Sequence, residues 1–341
     1  MRLPWRTALG VALSAGGLYW ALHRVQWGDF AHDVRASDAL LWVGAVIASQ
    51  LIFPMRAARW RPILHSVAPN VRFGALWRST AIGMMVNNVV IPARLGELAR
   101  AYVLTKEDAN VPFAGSLASL AVDRGFDGFI VFALILVALL DPRFSSDIAV
   151  SNGKSLGTAI GILGVGVAVG FAALYTAVFA PQWFENTASA LSRRFIPTYE
   201  VRVRMLARHF AAGLGVLRDP RRFVIVVLWS VAHWLMNALA MWLGFKALGI
   251  DVPPTAALLA QGLIVIGAAA PQLPGYFGTF EAAAAIALGA YSVSQTQAIA
   301  WALTYHILTL VPITLAGMWY LGKVGLSLGE LRGRAQAPTA T

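Results

Sequence analysis

Two stretches decide how this chain is built: Asn87-Asn88-Val89-Val90-Ile91-Pro92-Ala93-Arg94-Leu95-Gly96-Glu97 and Pro271-Gln272-Leu273-Pro274-Gly275-Tyr276-Phe277-Gly278-Thr279-Phe280-Glu281. Each interrupts an otherwise apolar run, Leu76 to Leu104 for the first and Ala256 to Ala290 for the second. Proline removes a helical N–H and glycine punctuates a helix, so each run is expected as two half-helices too short to cross a bilayer comfortably. The alternative is an ordinary span with a kink.

Outward from these breaks lie six uninterrupted apolar runs: Trp5 to Leu22, Ala39 to Met55, Ala114 to Leu140, Leu156 to Phe179, Phe223 to Leu248 and Ala298 to Gly322. About 20 residues of helix cross the roughly 30 Å hydrocarbon core. Of the 341 residues, 58% are hydrophobic and 13% charged, against roughly a quarter charged in soluble domains. The first run follows Arg2 and Arg6 and reads as an uncleaved anchor.

Charge sets the orientation. The net charge of +11 fits basic loops beside membrane spans better than a nucleic-acid surface, and no nucleic acid is expected. The segment Arg56 to Arg78 holds five arginines and no acid, and Arg193 to Arg222 is richer still. Both are assigned to the cytoplasm, whereas His23 to Asp38 and Asp141 to Lys154 are assigned outside. Six crossings with two hairpins that enter and leave on one side satisfy every loop, with both termini cytoplasmic.

The chain also resembles itself. A shift of 182 residues (274 − 92) carries Pro92 to Pro274, Gly96 to Gly278, Trp60 to Trp242, and Asp123-Arg124 to Tyr305-His306. The expected fold is an all-α polytopic membrane protein with six full transmembrane helices and two re-entrant helical hairpins in an inverted repeat, a transporter pattern. Its divisions are residues 1–37 (anchor and outer loop), 38–140 (first repeat), 141–219 (an extra span and an amphipathic cytoplasmic linker), 220–322 (second repeat) and 323–341 (disordered tail).

Candidate functional residues cluster at the breaks and in the spans beside them. Gly96 can open a half-helix whose amides suit a phosphate or carboxylate, with Arg94 as a forked donor to the same anion and Asn88 close by. Glu97 and Arg100 are spaced to pair. The competing reading has Arg94 to Arg100 snorkelling at the interface. Arg124 lies about 18 Å beyond Pro112 along a helix, between Asp123 and Asp127. The three either form a structural triad or leave Arg124 to a substrate phosphate while an aspartate carries a proton. Gly275, Tyr276 and Gly278 shape the second break, where Thr279 can cap the next half-helix. Glu281 is either part of that cap or a functional acid, and His306 is either a proton acceptor or a satisfied interior histidine. His233 and Gln261 are weaker candidates. Cysteine is absent, the histidines form no metal-binding pair, and no nucleotide fingerprint occurs. No cofactor or metal is expected.

The first break, the Ser116-Leu117-Ala118-Ser119-Leu120 run before Asp123-Arg124, and the string Pro274 to Glu281 together resemble the lysylphosphatidylglycerol synthase transmembrane family, also called flippase-like integral membrane proteins. The likeness covers about Ala39 to Gly322. It implies lipid translocation, since the membrane part of the multiple peptide resistance factors flips aminoacylated phosphatidylglycerol. Other members look linked to glycolipid, polyprenyl-sugar or hopanoid pathways. By position, Asn88, Pro92, Arg94, Gly96, Glu97, Asp123, Arg124, Pro274, Gly275, Gly278 and Glu281 match the family pattern. The chain stops soon after its last span, so the aminoacyl-transferase part of the full-length synthases is not expected, and a flippase is expected rather than an enzyme.

The resulting expectation is a multi-pass protein of a bacterial cytoplasmic membrane. It translocates an aminoacyl-phospholipid, glycolipid or polyprenyl-linked lipid whose phosphate is held by Arg94 and Arg124. Two rival readings are a membrane-embedded transferase and a non-transporting subunit that scaffolds a lipid-modifying enzyme through Phe184 to Asp219.

Overall fold

The computed structural model describes residues 5–65, 67–90, 95–143, 165–166, 169–170, 172–173, 175–214, 219–268 and 274–330. The run Leu156 to Phe179 thus falls largely outside the described residues, as do Pro92 and Arg94 of the first break and Pro271 to Leu273 of the second. Among the described residues the chain is helical throughout, without strands. The helices are α1 (Trp5–Leu22), α2 (Trp27–Ala36), α3 (Ala39–Leu64), α4 (Phe73–Val89), α5 (Gly96–Glu107), α6 (Phe113–Leu139), α7 (Pro181–Phe195), α8 (Glu200–Leu214), α9 (Pro220–Ala247), α10 (Pro254–Gly267), α11 (Thr279–Gly289) and α12 (Gln295–Val324).

By length and apolar composition, α3, α9 and α12 can each cross a membrane. At 1.5 Å per residue they span about 39, 42 and 45 Å. Their outer faces carry apolar stripes at helical spacing: Leu40, Val43, Ile47 and Leu51 on α3; Val224, Leu228, Leu235 and Leu239 on α9; Ile307, Val311 and Leu315 on α12. Charged groups lie inside instead, with Arg59, Asp123 and Glu281 at 0%, 1% and 0% exposure. A water-soluble bundle is arranged the other way round, with apolar stripes inward. Lipid as solvent explains the inversion, since it accepts apolar side chains and rejects charge.

Both broken stretches are broken in the structure. The first splits into α4 and α5 and the second into α10 and α11, with a 3-10 turn at Pro274–Tyr276 between the latter. In each, the two short helices pack against one another, so the chain doubles back. At about 18 and 16 Å, α5 and α11 are too short to cross. The four helix starts Ala39, Phe73, Gly96 and Phe113 reappear at Pro220, Pro254, Thr279 and Gln295, each within one residue of the 182-residue shift.

Gly83 and Gly96 let the first hairpin close. A Cβ on Gly96 would lie 2.2 Å from the Gly83 carbonyl oxygen and 2.5 Å from Asn87 Cγ. The second break is set by backbone in the left-handed region: Gly275 at φ 70°, Tyr276 at φ 63° and Gly278 at φ 87°. Gly278 also meets α1, where a Cβ would come within 2.0 Å of the Ser14 carbonyl oxygen. Small residues likewise allow α3 and α9 to pack along their length, with Ala45, Ala48 and Ser49 buried on α3 and Ala238, Ala240 and Gly244 buried on α9.

One expectation needs correction: the segment from Arg56 to Arg78 is not a loop throughout, because α3 continues unbroken through Pro54 and Pro62 to Leu64 and buries Arg56 and Arg59. Towards the C-terminus α12 reaches Val324 and a further turn is closed by Ser327, whose N–H and hydroxyl both donate to Glu330, and the expected disordered tail beyond residue 330 lies outside the described residues. The basic linker forms two amphipathic helices, α7 and α8, packed on each other, and α8 leans on α6.

Candidate functional site

The interior holds a cluster of four guanidinium groups and three carboxylates where α3, α5, α6 and α9 meet. Arg59 stands at its centre, fully buried. Its Nη1 donates to Asp127 Oδ1 at 2.7 Å and to Ser230 Oγ at 3.2 Å. Its Nη2 lies 2.6 Å from Asp123 Oδ1, an ion pair whose angle falls short of a hydrogen bond. Trp234 Nε1 donates to the same Asp127 oxygen at 3.1 Å. Arg100 reaches Asp123 Oδ2 at 3.4 Å and lies flat over the Trp60 ring at 4.0 Å. Arg124, with its side chain 46% exposed, pairs with Glu97 and approaches Asp127 Oδ2 at 3.5 Å. Arg56 comes within 3.7 Å of that oxygen.

The arginine held between the two aspartates is therefore Arg59 and not Arg124. The expected Glu97–Arg100 pair does not form either, because Glu97 binds Arg124 and Arg100 turns to Asp123. Sequence spacing finds only partners on one helix, whereas Arg59 and Asp127 are 68 residues apart. A signal was nonetheless present: Ala45, Ser49, Ile52, Arg56, Arg59 and Ile63 recur at three and four residues, one buried face of one helix.

The second break carries an equivalent clamp. Glu281, at 0% exposure, accepts the Gly278 N–H at 2.6 Å with one carboxylate oxygen and meets His306 Nδ1 at 2.7 Å with the other. Phe277 and Phe280 stack on the His306 ring at 4.6 and 4.2 Å. Glu281 thus caps α11 and partners His306 at once. The N-cap position falls on Gly278, one residue before Thr279, whose hydroxyl donates to the Tyr276 carbonyl. Under the 182-residue shift Arg124 falls on His306. Each half therefore ties a basic residue of its last helix to an acid in the first turn after its break.

Between the clamps lies a cavity of about 240 Å³. Arg56 and Ser49 of α3, Asn88 of α4, His233 and Asn237 of α9, Tyr276 of the second break and His306 of α12 line it. Aromatic side chains complete the lining, among them Trp234, Phe280 and Tyr305. Asn88 donates to Thr314 Oγ1 at 2.8 Å and Asn237 to Gln261 Oε1 at 3.0 Å. Of the residues singled out in the sequence, Asn88, Tyr276 and His306 reach this cavity. Glu97, Arg100, Asp123, Arg124 and Asp127 form the adjoining cluster. Gly275 and Gly278 shape the break. The Gly96 N–H is already taken by Asn87 Oδ1 at 2.8 Å, so this amide is committed to the hairpin. Arg94 lies outside the described residues. Sequence reasoning missed Arg56 and Arg59 and undervalued His233. Among the described residues, no group of three or more potential ligands is placed to hold a metal.

Long helices with apolar exteriors, charge sealed within, and broken hairpins packed between them define a multi-pass α-helical integral membrane protein. Within that class the chain belongs to the family described as the lysylphosphatidylglycerol synthase TM region, which matches residues 7–317. It is similar to the glycosyltransferase AglD of Haloferax volcanii, 28% identical over 86% of this chain and 50% of the relative. The chain spans about half of that protein's length. Two UPF0104 membrane proteins of Methanothermobacter thermautotrophicus are 22% and 25% identical, covering 89% and 87% of this chain and 91% and 88% of their own lengths.

Proposed function

We propose that this protein moves a lipid with a phosphate-bearing headgroup across the membrane, the headgroup passing through the central cavity while the hydrocarbon chains stay in the bilayer. The observation that carries this reading is a buried guanidinium–carboxylate cluster opening on an interior cavity between two broken hairpins. Charge and irregular backbone at membrane depth are tolerated where they line a polar cavity or pair together. At about 240 Å³ the cavity is smaller than the roughly 300–1,000 Å³ of sites that enclose a drug-sized ligand.

Read with the exposed Arg61 and Arg72 and the basic linker α7–α8 inside, the repeats 38–140 and 220–322 have opposite topology, with six crossings, two re-entrant hairpins and both termini in the cytoplasm of a bacterial inner membrane. The clamps Arg124–Glu97 and His306–Glu281 then hold the two breaks in register with the last helix of each half, so that opening one clamp opens one side.

The test is transbilayer movement of labelled phosphatidylglycerol in liposomes containing the purified protein. Wild type is expected to accelerate it, and Arg124→Ala to abolish the acceleration while the protein still folds. Rates equal to those of protein-free liposomes would refute the proposal. The relative named as a glycosyltransferase favours one rival, a transferase acting on lipid-linked substrates. Incubation with labelled lipid and sugar donors separates the two, because a transferase yields a new covalent product and a translocator returns the lipid unchanged.

A further inference from the structure

Of the four guanidinium groups in the cluster, Arg56 is the one that makes no hydrogen bond to a carboxylate among the described residues. Arg59 bonds to Asp127 and Ser230 and pairs with Asp123, Arg100 has Asp123 and the face of Trp60, and Arg124 has Glu97 and Asp127, although Nε and Nη2 of both Arg59 and Arg100 lack a hydrogen-bond partner. Arg56 has weaker contacts than these. Its nearest carboxylate oxygen is 3.7 Å away, beyond hydrogen-bond reach. Its Nη1 faces Met84 Sδ at 3.9 Å, a weak acceptor, and its Nε has no partner. Yet Arg56 is 8% exposed and lines the central cavity. His233, 2% exposed, lines the same cavity, and its Nδ1 has no hydrogen-bond partner among the described residues.

A buried charge lacking a counter-ion costs several kcal/mol. Asp127, 3.7 Å away, is shared with Arg59 and Arg124, and the three carboxylates of the described cluster face four arginines, which leaves one positive charge in excess. An anion entering the cavity would supply the acceptors that Arg56 lacks. Adjacent Nε and Nη donors of a planar guanidinium match two oxygens of a phosphate or carboxylate.

We propose that Arg56, with His233 on the lining of the same cavity, is the receptor for an oxyanion, chiefly a phosphate, in the central cavity. That the phosphate belongs to a lipid headgroup rests on the translocation reading above; the site itself rests on a guanidinium at the cavity wall whose nearest carboxylate is beyond hydrogen-bond reach. Arg59, Arg100 and Arg124 are paired with the three carboxylates and serve as the scaffold that holds Arg56 at the wall. An incoming phosphate draws Arg56 away from its long contact with Asp127 and completes its hydrogen bonds.

The experiment uses the full chain in an uncharged detergent, with thermal unfolding and native mass spectrometry as readouts. The probes are dioleoyl-phosphatidylglycerol, inorganic phosphate and an uncharged galactosyl diacylglycerol. The variants are Arg56→Gln, Arg56→Lys and, as a charge-matched control remote from the cavity, Arg193→Gln. Without added anion, Arg56→Gln is expected to be at least as stable as wild type, since it removes an uncompensated buried charge. Phosphatidylglycerol is expected to stabilise wild type and Arg193→Gln, to bind Arg56→Gln about tenfold or more weakly given the strength of charge-assisted hydrogen bonds, and to bind Arg56→Lys with intermediate affinity. The galactolipid is expected to discriminate among none of them. Stabilisation by inorganic phosphate alone, lost in Arg56→Gln, would support the site and assign it to the free oxyanion.

Equal phosphatidylglycerol binding by wild type and Arg56→Gln would overturn the proposal. So would an Arg56→Gln protein destabilised to the same extent with and without anion, since that is what a purely structural arginine predicts. The translocation reading fails separately. Phosphatidylglycerol bound through Arg56 without any transbilayer movement refutes transport and leaves the site standing, whereas undiminished transport by Arg56→Gln refutes the site and leaves transport standing.

Discussion

Replacing Arg59 with methionine is expected to be among the most destabilising single changes in the chain. Arg59 is wholly buried and touches two carboxylates at 2.6 and 2.7 Å. Without it, Asp123 keeps only Arg100 at 3.4 Å. Asp127 keeps the Trp234 N–H at 3.1 Å and two arginines at 3.5 and 3.7 Å. Methionine fills most of the space, so the loss is electrostatic rather than steric. Removing one partner of a buried pair costs about 3–5 kcal/mol. Asp123→Asn, which leaves Arg59 its better bond to Asp127, is expected to cost about 1–3 kcal/mol. Arg56→Met, which removes a buried charge whose nearest carboxylate is beyond hydrogen-bond reach, is expected to be neutral or stabilising. The assay is reversible unfolding in mixed micelles followed by tryptophan fluorescence. The ranking is the decisive quantity: if Arg59→Met and Arg56→Met fall within about 1 kcal/mol of each other, an ordinary surface-like effect, the assignment of Arg59 as the central counter-ion is wrong.

Three further outcomes are expected. Gly96→Ala forces a methyl group to 2.2 Å from the Gly83 carbonyl and should destabilise by about 1–3 kcal/mol. Gly128→Ala in α6, with nothing within 4 Å, should instead gain up to about 1 kcal/mol, and size-exclusion profiles after heating would show both. Glu281→Gln keeps one acceptor for the Gly278 N–H but loses the charge, weakening the α11 cap by about 1 kcal/mol, whereas Glu281→Ala strands both Gly278 and His306 and should cost more. Hydrogen exchange at residues 279–282 reports the difference, and unchanged protection in Glu281→Ala would count against the clamp. In the loop after α6, hydrogen bonds from the Thr255 hydroxyl and from the Arg143 backbone N–H hold the Asp141 carboxyl below the usual aspartate range. A depressed folded pKa stabilises above the unfolded value and is lost as pH falls through the folded one. The tether from Asp141 to α10 should therefore loosen below about pH 4, and Thr255→Val should loosen it at every pH, as exchange at residues 254–257 would reveal.

What the sequence determined by itself was local or compositional. Apolar runs of about 20 residues with so few charges leave lipid as the only suitable solvent, and that follows from counting. Proline and glycine at the two breaks act on their own backbone, so Val89 and Gly267 end helices as the stretches from Asn87 and Pro271 led one to expect. The i and i+3 pairing of Arg124 with Asp127 lies within one helix and was equally legible. Tertiary structure decided which charges meet. Whether Arg56 and Arg59 belong to a cytoplasmic loop or to a buried helix depended on carboxylates in α6, more than 60 residues away, and no spacing rule reaches that far. The same holds for Glu281, whose role as cap and His306 partner together required α11 and α12 to pack side by side. In a membrane interior an ion pair is kept by the proximity of its partner and not by its place in the chain, because low-dielectric surroundings make an unmatched charge costly wherever its sequence lies.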